Sequence, residues 1–292
     1  AATAAVIGPG AAGITVARAL LARGLSVILL ESGGFDHEAD ASGLNAGANV
    51  GEPYYDLESA RLRFFGGTTA IWGGRCAHLD PIDFELREWV PHSGWPMPAS
   101  ELEPWYAEAR ELLGLPPQRA PRGKVNGLLG ALSTDDLAVR HWEFDHQFDR
   151  FGAARNAELL KHPKLSAVVH ATVREIVPVE QGGAISHLYV LDPSGKPITV
   201  RAGSYVLAAG GIENPRLLLA SNSVVRCGLG NQHDLVGRFF MEHPHGRGGT
   251  LTRAPAWRVL SAFSNRQADG AVVAPLLTLS PSLQERAGLL NS

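Results

Sequence analysis

Ala4-Ala5-Val6-Ile7-Gly8-Pro9-Gly10-Ala11-Ala12-Gly13, close to the start of the chain, decides how the rest is read. Four short apolar residues, partly β-branched, suit a parallel strand buried on both faces. The glycines follow at once in the spacing G-x-G-x-x-G. Gly8 permits the tight turn, Gly10 lets a pyrophosphate approach the backbone, and Gly13 lets helix and strand pack closely. The pattern predicts a helix over 11–23 with Ile14, Ala17, Leu20 and Leu21 on one face, and Gly24 as its left-handed stop. A second strand over 26–30 follows, with Glu31 at its carboxyl end. Unpaired N–H groups at a helix start attract phosphate, and an acid after the second strand can bind ribose hydroxyls. A glycine fingerprint alone is weak evidence. Here strand, glycines, helix, strand and acid come in the required order, which implies a bound adenine dinucleotide. This stretch leaves open whether that is NAD or FAD.

With 292 residues the chain can form one large domain or two moderate ones. A net charge of −3 gives no sign of a nucleic-acid partner. No apolar run reaches membrane-spanning length, and no charged segment leads into an apolar one at the N-terminus, so a cytoplasmic protein without a membrane span is expected. Cys76 and Cys227 are too few and too far apart for a disulfide framework or a zinc site. None of the eleven histidines falls in a metal-ligand spacing, and no metal is expected.

The segment 35–55 is polar and glycine-rich and reads as an excursion over the cofactor site. After it comes Arg61-Leu62-Arg63-Phe64-Phe65-Gly66-Gly67-Thr68-Thr69-Ala70-Ile71-Trp72-Gly73-Gly74. Its glycines suit backbone lying against a large flat ligand. They equally suit a glycine-rich loop around a buried Trp, and composition does not choose.

Coming after a dinucleotide-binding start, this stretch resembles the segment that lies along the flavin in the glucose–methanol–choline oxidoreductases. The segments 79–84 and 93–97 resemble the sugar and polyol dehydrogenase or pyranose-oxidase-like branch. The resemblance implies an α/β architecture: a Rossmann-like FAD-binding domain with a discontinuous second, substrate domain built on a sheet. It places the first domain at 1–75 and 160–232, and the substrate or cap domain at 76–159 and 233–292. It implies FAD as cofactor, with Gly66, Gly67, Thr68, Ile71, Trp72 and Gly73 facing the isoalloxazine or ribityl. Ala11, Ala12, Glu31 and Ser32 join the dinucleotide contacts, and the Val173 backbone meets the adenine. Tyr205-Val206-Leu207-Ala208-Ala209-Gly210-Gly211 makes the second contact, through Ala209 and Gly210, with Asn214 as N-cap and Pro215 as the first helical residue. Covalent members carry a flavin-linking His where this chain has Ile71, so attachment there is excluded and FAD is expected to be non-covalent.

Beyond these stretches, 80–83 predicts a capped short helix, and 100–103 a capping box opening a longer one whose apolar face takes Leu102, Trp105 or Tyr106, Ala109, Leu112 and Leu113. That aromatic stripe reads as core before it reads as a sugar platform. The region 120–155 suggests a wall of the substrate domain, with His141 and His146 in structural roles. Asp192-Pro193-Ser194-Gly195 marks a hairpin turn between strands at 188–190 and 198–200. A strand at 271–279 is weakened by Pro275, which argues for an edge or a break, and Ser280-Pro281 starts a last helix. His243 and His245 invite a catalytic or metal reading, though no third ligand lies nearby.

The family's catalytic His segment is not found before Ser292, so the catalytic residues are unknown and expected beyond Ser292, or in a second chain that completes the site. The activity implied is oxidation of a CH–OH group of a sugar, glycoside or other small alcohol by hydride transfer to flavin N5. Two alternatives stay open: a non-redox lyase on the same fold, and a non-catalytic FAD-binding subunit or fragment.

Overall fold

The computed structural model describes residues 2–117, 127–180, 183–243, 246, 250, 252, 256–268 and 270–291. In chain order the first elements are β1 (Ala2–Ile7), α1 (Ala11–Ala22), β2 (Val27–Leu30), α2 (Ala39–Gly43) and α3 (Leu57–Ala60). Next come β3 (Arg75–Cys76), α4 (Glu103–Leu112), α5 (Gly127–Leu132), β4 (Leu137–Phe144), α6 (Ala157–Leu160) and β5 (Leu165–Val168). They are followed by β6 (Thr172–Pro178), β7 (Ile185–Leu191), β8 (Pro197–Val200), β9 (Ala202–Leu207) and α7 (Gly210–Ala220). The last are α8 (Ala256–Ala262), β10 (Arg266–Ala268), β11 (Ala271–Leu279) and α9 (Pro281–Ala287).

Two compact units result. The first joins Ala1–Trp72 to Phe148–Met241, and the second joins Gly73–Gln147 to Glu242–Ser292. Residues 148–159, expected in the substrate domain, fall in the first unit. The reason is local: Phe151 is buried, and its carbonyl crowds the space a side chain at Gly66 would need.

In the first unit β5, β2, β1 and β9 form a parallel sheet in that order. The chain moves outward from β1 to β2 and β5, then returns to the other side of β1 as β9. That reversal creates the crevice at the carboxyl ends of the strands where α/β sheets bind ligands. Ala4, Ala5, Val6, Ile7, Leu29 and Leu30 are buried, as apolar strands covered on both faces must be. Burying each larger aliphatic side chain contributes about 1.5–3 kcal/mol. The helix predicted over 11–23 runs Ala11–Ala22 with Arg23 as cap, and Ile14, Ala17 and Leu21 face inward. Gly24 takes φ +76°, which a side chain would resist.

The same unit holds the antiparallel sheet β6-β7-β8. Val173, Ile176, Leu188 and Val190 from this sheet join Ile7, Leu30 and Leu217 in one core cluster. The β7–β8 turn forms as its residues predict: Asp192 Oδ1 accepts from the N–H groups of Ser194 and Lys196, each at 2.9 Å.

In the second unit β10, β11, β4 and β3 form an antiparallel sheet. Pro275 does not break β11, which pairs with β4 along its length, Pro275 opposite His141. β10 reaches only Val273, so beyond it β11 has one side where a missing N–H costs no ladder bond. The capping box at 100–103 does not form. Residues Ala99–Glu101 close as a 3₁₀ turn and α4 starts at Glu103, with Pro104 in the first turn where its missing N–H is an orphan in any case. Tyr106 is the inward aromatic, stacked on His78 at 3.9 Å, while Trp105 is exposed. The caps at 80–83 and 280 do form: Asp80 N donates to Asp83 Oδ2 at 2.9 Å, and Leu283 N to Ser280 Oγ at 3.1 Å.

Candidate functional site

A cavity of about 450 Å³ in the first unit is lined from several separate stretches of chain. The β1–α1 turn supplies Gly8, Gly10, Ala11 and Ala12, and the end of β2 supplies Glu31 and Ser32. The glycine-rich segment supplies Gly66, Gly67 and Thr68. Thr172 and Val173 come from β6, and Ala209, Gly210 and Asn214 from the β9–α7 junction. All of these lining residues except Thr172 are ones the sequence singled out.

Each has a physical reason for its place. α1 starts at Gly10 with no side-chain cap, so the N–H groups of its first turn are left for a ligand at the cavity. Gly10, Gly210 and Gly211 have open space where a Cβ would stand, so backbone itself faces the cavity there. Gly13 does not line it. A Cβ on Gly13 would land on the Gly8 carbonyl oxygen, which is the close helix–strand approach assigned to that position. An uncapped helix start, an open glycine backbone and a buried acid around one cleft fit an adenine dinucleotide.

Three expected flavin contacts, Ile71, Trp72 and Gly73, do not line this cavity. Ile71, 58% exposed, follows the 3₁₀ turn Gly67–Ala70, which carries the chain off the cavity wall. Trp72 is half-buried and does not line the cavity, its indole Nε1 having no acceptor among the described residues. Gly73 belongs to the second unit. The N-cap expectation at Asn214 is also revised. Gly210, at φ +87°, lets the chain turn into α7 five residues earlier, with Ala209 as N-cap, so Asn214 and Pro215 stand inside the helix. Asn214 still serves the turn, because its Oδ1 accepts the Ala209 N–H at 2.9 Å.

Glu31 is buried at the end of β2, and its Oε1 accepts the Gly33 N–H at 2.8 Å. Burial pushes its carboxyl above the ordinary value, against the Gly33 bond and the nearby Arg63 charge.

Sequence reading missed a charged network on the same cavity. Asn45, Arg61, Arg63, Glu213 and Arg216 all line it. Glu213 Oε1 accepts from Arg61 Nε at 2.8 Å and Nη2 at 2.6 Å. Its Oε2 meets Arg63 Nη2 at 2.8 Å and Arg216 Nε at 2.6 Å. Arg63 also donates to Asn45 Oδ1 and Ser32 Oγ, and Asn45 donates to the Arg61 carbonyl. Burial pushes Glu213 up, but the Arg63 charge and the bonds from Arg216 and Arg61 outweigh it and hold the carboxyl below its ordinary value. Arg61 and Arg63 stand in the glycine-rich stretch 61–74, but nothing in sequence tied them to an acid about 150 residues later. Asn45 lies in the excursion 35–55, which thereby reaches the site as expected.

His243 is exposed beside Glu242, its own N–H donating to Glu242 Oε1 at 2.8 Å. His245 lies outside the described residues. Among the described residues no helix is long and apolar enough to cross a membrane.

A parallel sheet with a glycine turn at its switch point and a buried acid after its second strand defines a dinucleotide-binding protein. The chain belongs to the FAD dependent oxidoreductase (DAO) family, whose pattern matches residues 3–226. It is 27% identical to 6'''-hydroxyparomomycin C oxidase of Streptomyces lividus, over 86% of this chain and 56% of that protein. It is also 27% identical to the fructose dehydrogenase large subunit of Gluconobacter japonicus, over 67% of this chain and 44% of that one. Among solved structures it is similar to pyridoxine 4-oxidase from Mesorbium loti, with a TM-score of 0.51 and 20% identity over 76% of this chain and 52% of that one. The relatives are oxidases and dehydrogenases of the glucose–methanol–choline type, as the resemblance at 61–74 implied. The chain spans about half the length of the curated relatives it matches.

Proposed function

We propose that this chain binds FAD non-covalently and serves the oxidation of a CH–OH group in a sugar, glycoside or other small alcohol. The observation that carries the reading is the convergence of three glycine-bearing segments and Glu31 on one cavity. Bound FAD would supply the hydride acceptor, N5. The residues of this chain bind and orient: the α1 start and the open glycines receive the diphosphate, Glu31 accepts from ribose hydroxyls, and Val173 backs the adenine. Ile71 brings no nucleophile to the flavin, which supports dissociable binding. The names of the relatives, an aminoglycoside oxidase and a fructose dehydrogenase among them, support the substrate class.

The test is an anaerobic titration of the FAD-loaded protein, completed by the segment or second chain that carries the catalytic residues, with a panel of sugars, glycosides and simple alcohols, followed in the visible spectrum. Bleaching of the flavin band by at least one member is expected. A bound flavin that no alcohol bleaches, with turnover of a cyanohydrin instead, would move the assignment to a lyase. Failure to take up FAD at all would overturn the reading entirely.

A further inference from the structure

We propose that Glu213 is a positioning residue that sets Arg216, together with Arg61 and Arg63, to receive the diphosphate of the adenine dinucleotide. The inference rests on the cofactor reading above and adds residues that the glycine fingerprint does not supply.

One carboxylate here is surrounded by three guanidiniums, its four bonds between 2.6 and 2.8 Å. The side chains of Glu213, Arg61 and Arg63 are 9%, 12% and 12% exposed, so the charges sit largely out of water. A structural lock would need one arginine per acid. The surplus positive charge is costly to bury unless an anion answers it.

The three arginines are not equivalent. Arg61 spends Nε and both terminal nitrogens on Glu213, the Leu57 carbonyl and the Asn45 carbonyl. Arg63 likewise divides its nitrogens among Asn45, Ser32 and Glu213. Arg216 is bound through Nε alone. Its terminal nitrogens make no bond to a described residue, and at 42% exposure it is the open member of the set. Three residues before it on α7, Glu213 fixes the inner edge of that guanidinium and leaves the outer edge free on a cavity wall. A planar fork held at one edge suits bidentate capture of phosphate oxygens.

The test is FAD binding to the apo form of this chain, followed by quenching of flavin fluorescence, with ADP and adenosine as competitors. Glu213→Gln and Arg216→Gln are each expected to weaken FAD and ADP by about ten- to a hundred-fold, the loss of a charge-assisted bond. Adenosine, which has no phosphate, should change by less than about three-fold. Two results would overturn the proposal. If Glu213→Gln binds ADP more tightly, the surplus charge acts without positioning. If ADP and adenosine weaken alike, or neither changes, Glu213 serves only the fold. Should Glu213→Gln fail to fold, the half-exposed Arg216→Gln decides by the same comparison. An unaltered chain that binds neither FAD nor ADP would overturn the cofactor reading itself, whereas unaltered binding with unresponsive variants overturns only this inference.

Discussion

Replacing Glu31 by Gln should make the apo protein more stable at neutral pH and, at the same time, a poorer FAD binder. The side chain is 9% exposed, and one oxygen already accepts the Gly33 N–H. Glutamine keeps that acceptor and removes the charge. Because burial raises the folded-state pKa above the ordinary carboxylate value of 4.5, the folded protein holds its proton longer than the unfolded chain. Glu31 is therefore most favourable to folding below pH 4.5, and its contribution is lost as pH rises through the raised value. Glutamine abolishes this dependence, so the variant's stability advantage should be present at pH 7 and shrink toward pH 4.5.

The ligand effect runs the other way. Losing a charge-assisted bond to ribose costs about 1.5–3 kcal/mol, roughly ten- to a hundred-fold in affinity. At FAD one hundred times the wild-type Kd, the wild type gains about 2.7 kcal/mol from binding, and the variant only about 0.4–1.4 kcal/mol. Urea unfolding at pH 7 and pH 4.5, with and without FAD, reads both effects in one experiment. Equal stabilisation of the two proteins by FAD would remove Glu31 from the ribose contact. A less stable apo variant would show that its carboxylate is better satisfied than its burial implies.

Two further outcomes are expected. Gly13→Ala drives a Cβ into the Gly8 carbonyl, which is backbone and cannot swing aside, so it should cost about 1–3 kcal/mol or more in a thermal melt and weaken FAD binding with it. A variant as stable as the wild type would mean that α1 and β1 can separate freely. Acid precipitation of the FAD-loaded protein should release the yellow chromophore into the supernatant, since Ile71 offers no atom for a covalent link. Colour kept in the pellet would contradict that.

How far the residues could be read depended on how local the cause was. Gly8, Gly10 and Gly13 act within one turn, and Glu31 acts at the end of the strand next to it. Asp192 and Ser280 cap through bonds spanning two to four residues. In each case spacing alone predicts where the residue stands. The capping box at 100–103 failed because Pro104 favoured a later helix start, and the N-cap at Asn214 failed because Gly210 allowed an earlier one. Both errors lie at boundaries, where a proline or a left-handed glycine competes with side-chain capping.

The sequence by itself therefore determined the kind of fold, the dinucleotide cleft and most of its backbone lining, because period, turn chemistry and apolar runs are properties of short windows. Only the tertiary structure decided that Asn45, Arg61, Arg63, Glu213 and Arg216 share one wall of that cleft. Arg61 and Glu213 stand 152 residues apart and meet because the chain returns beside β1 as β9 and continues into α7. Hydrophobic periodicity governs that return, while the charges riding on it have no period of their own. Their pairing appears only when the sheet is closed and burial makes an unpaired charge costly.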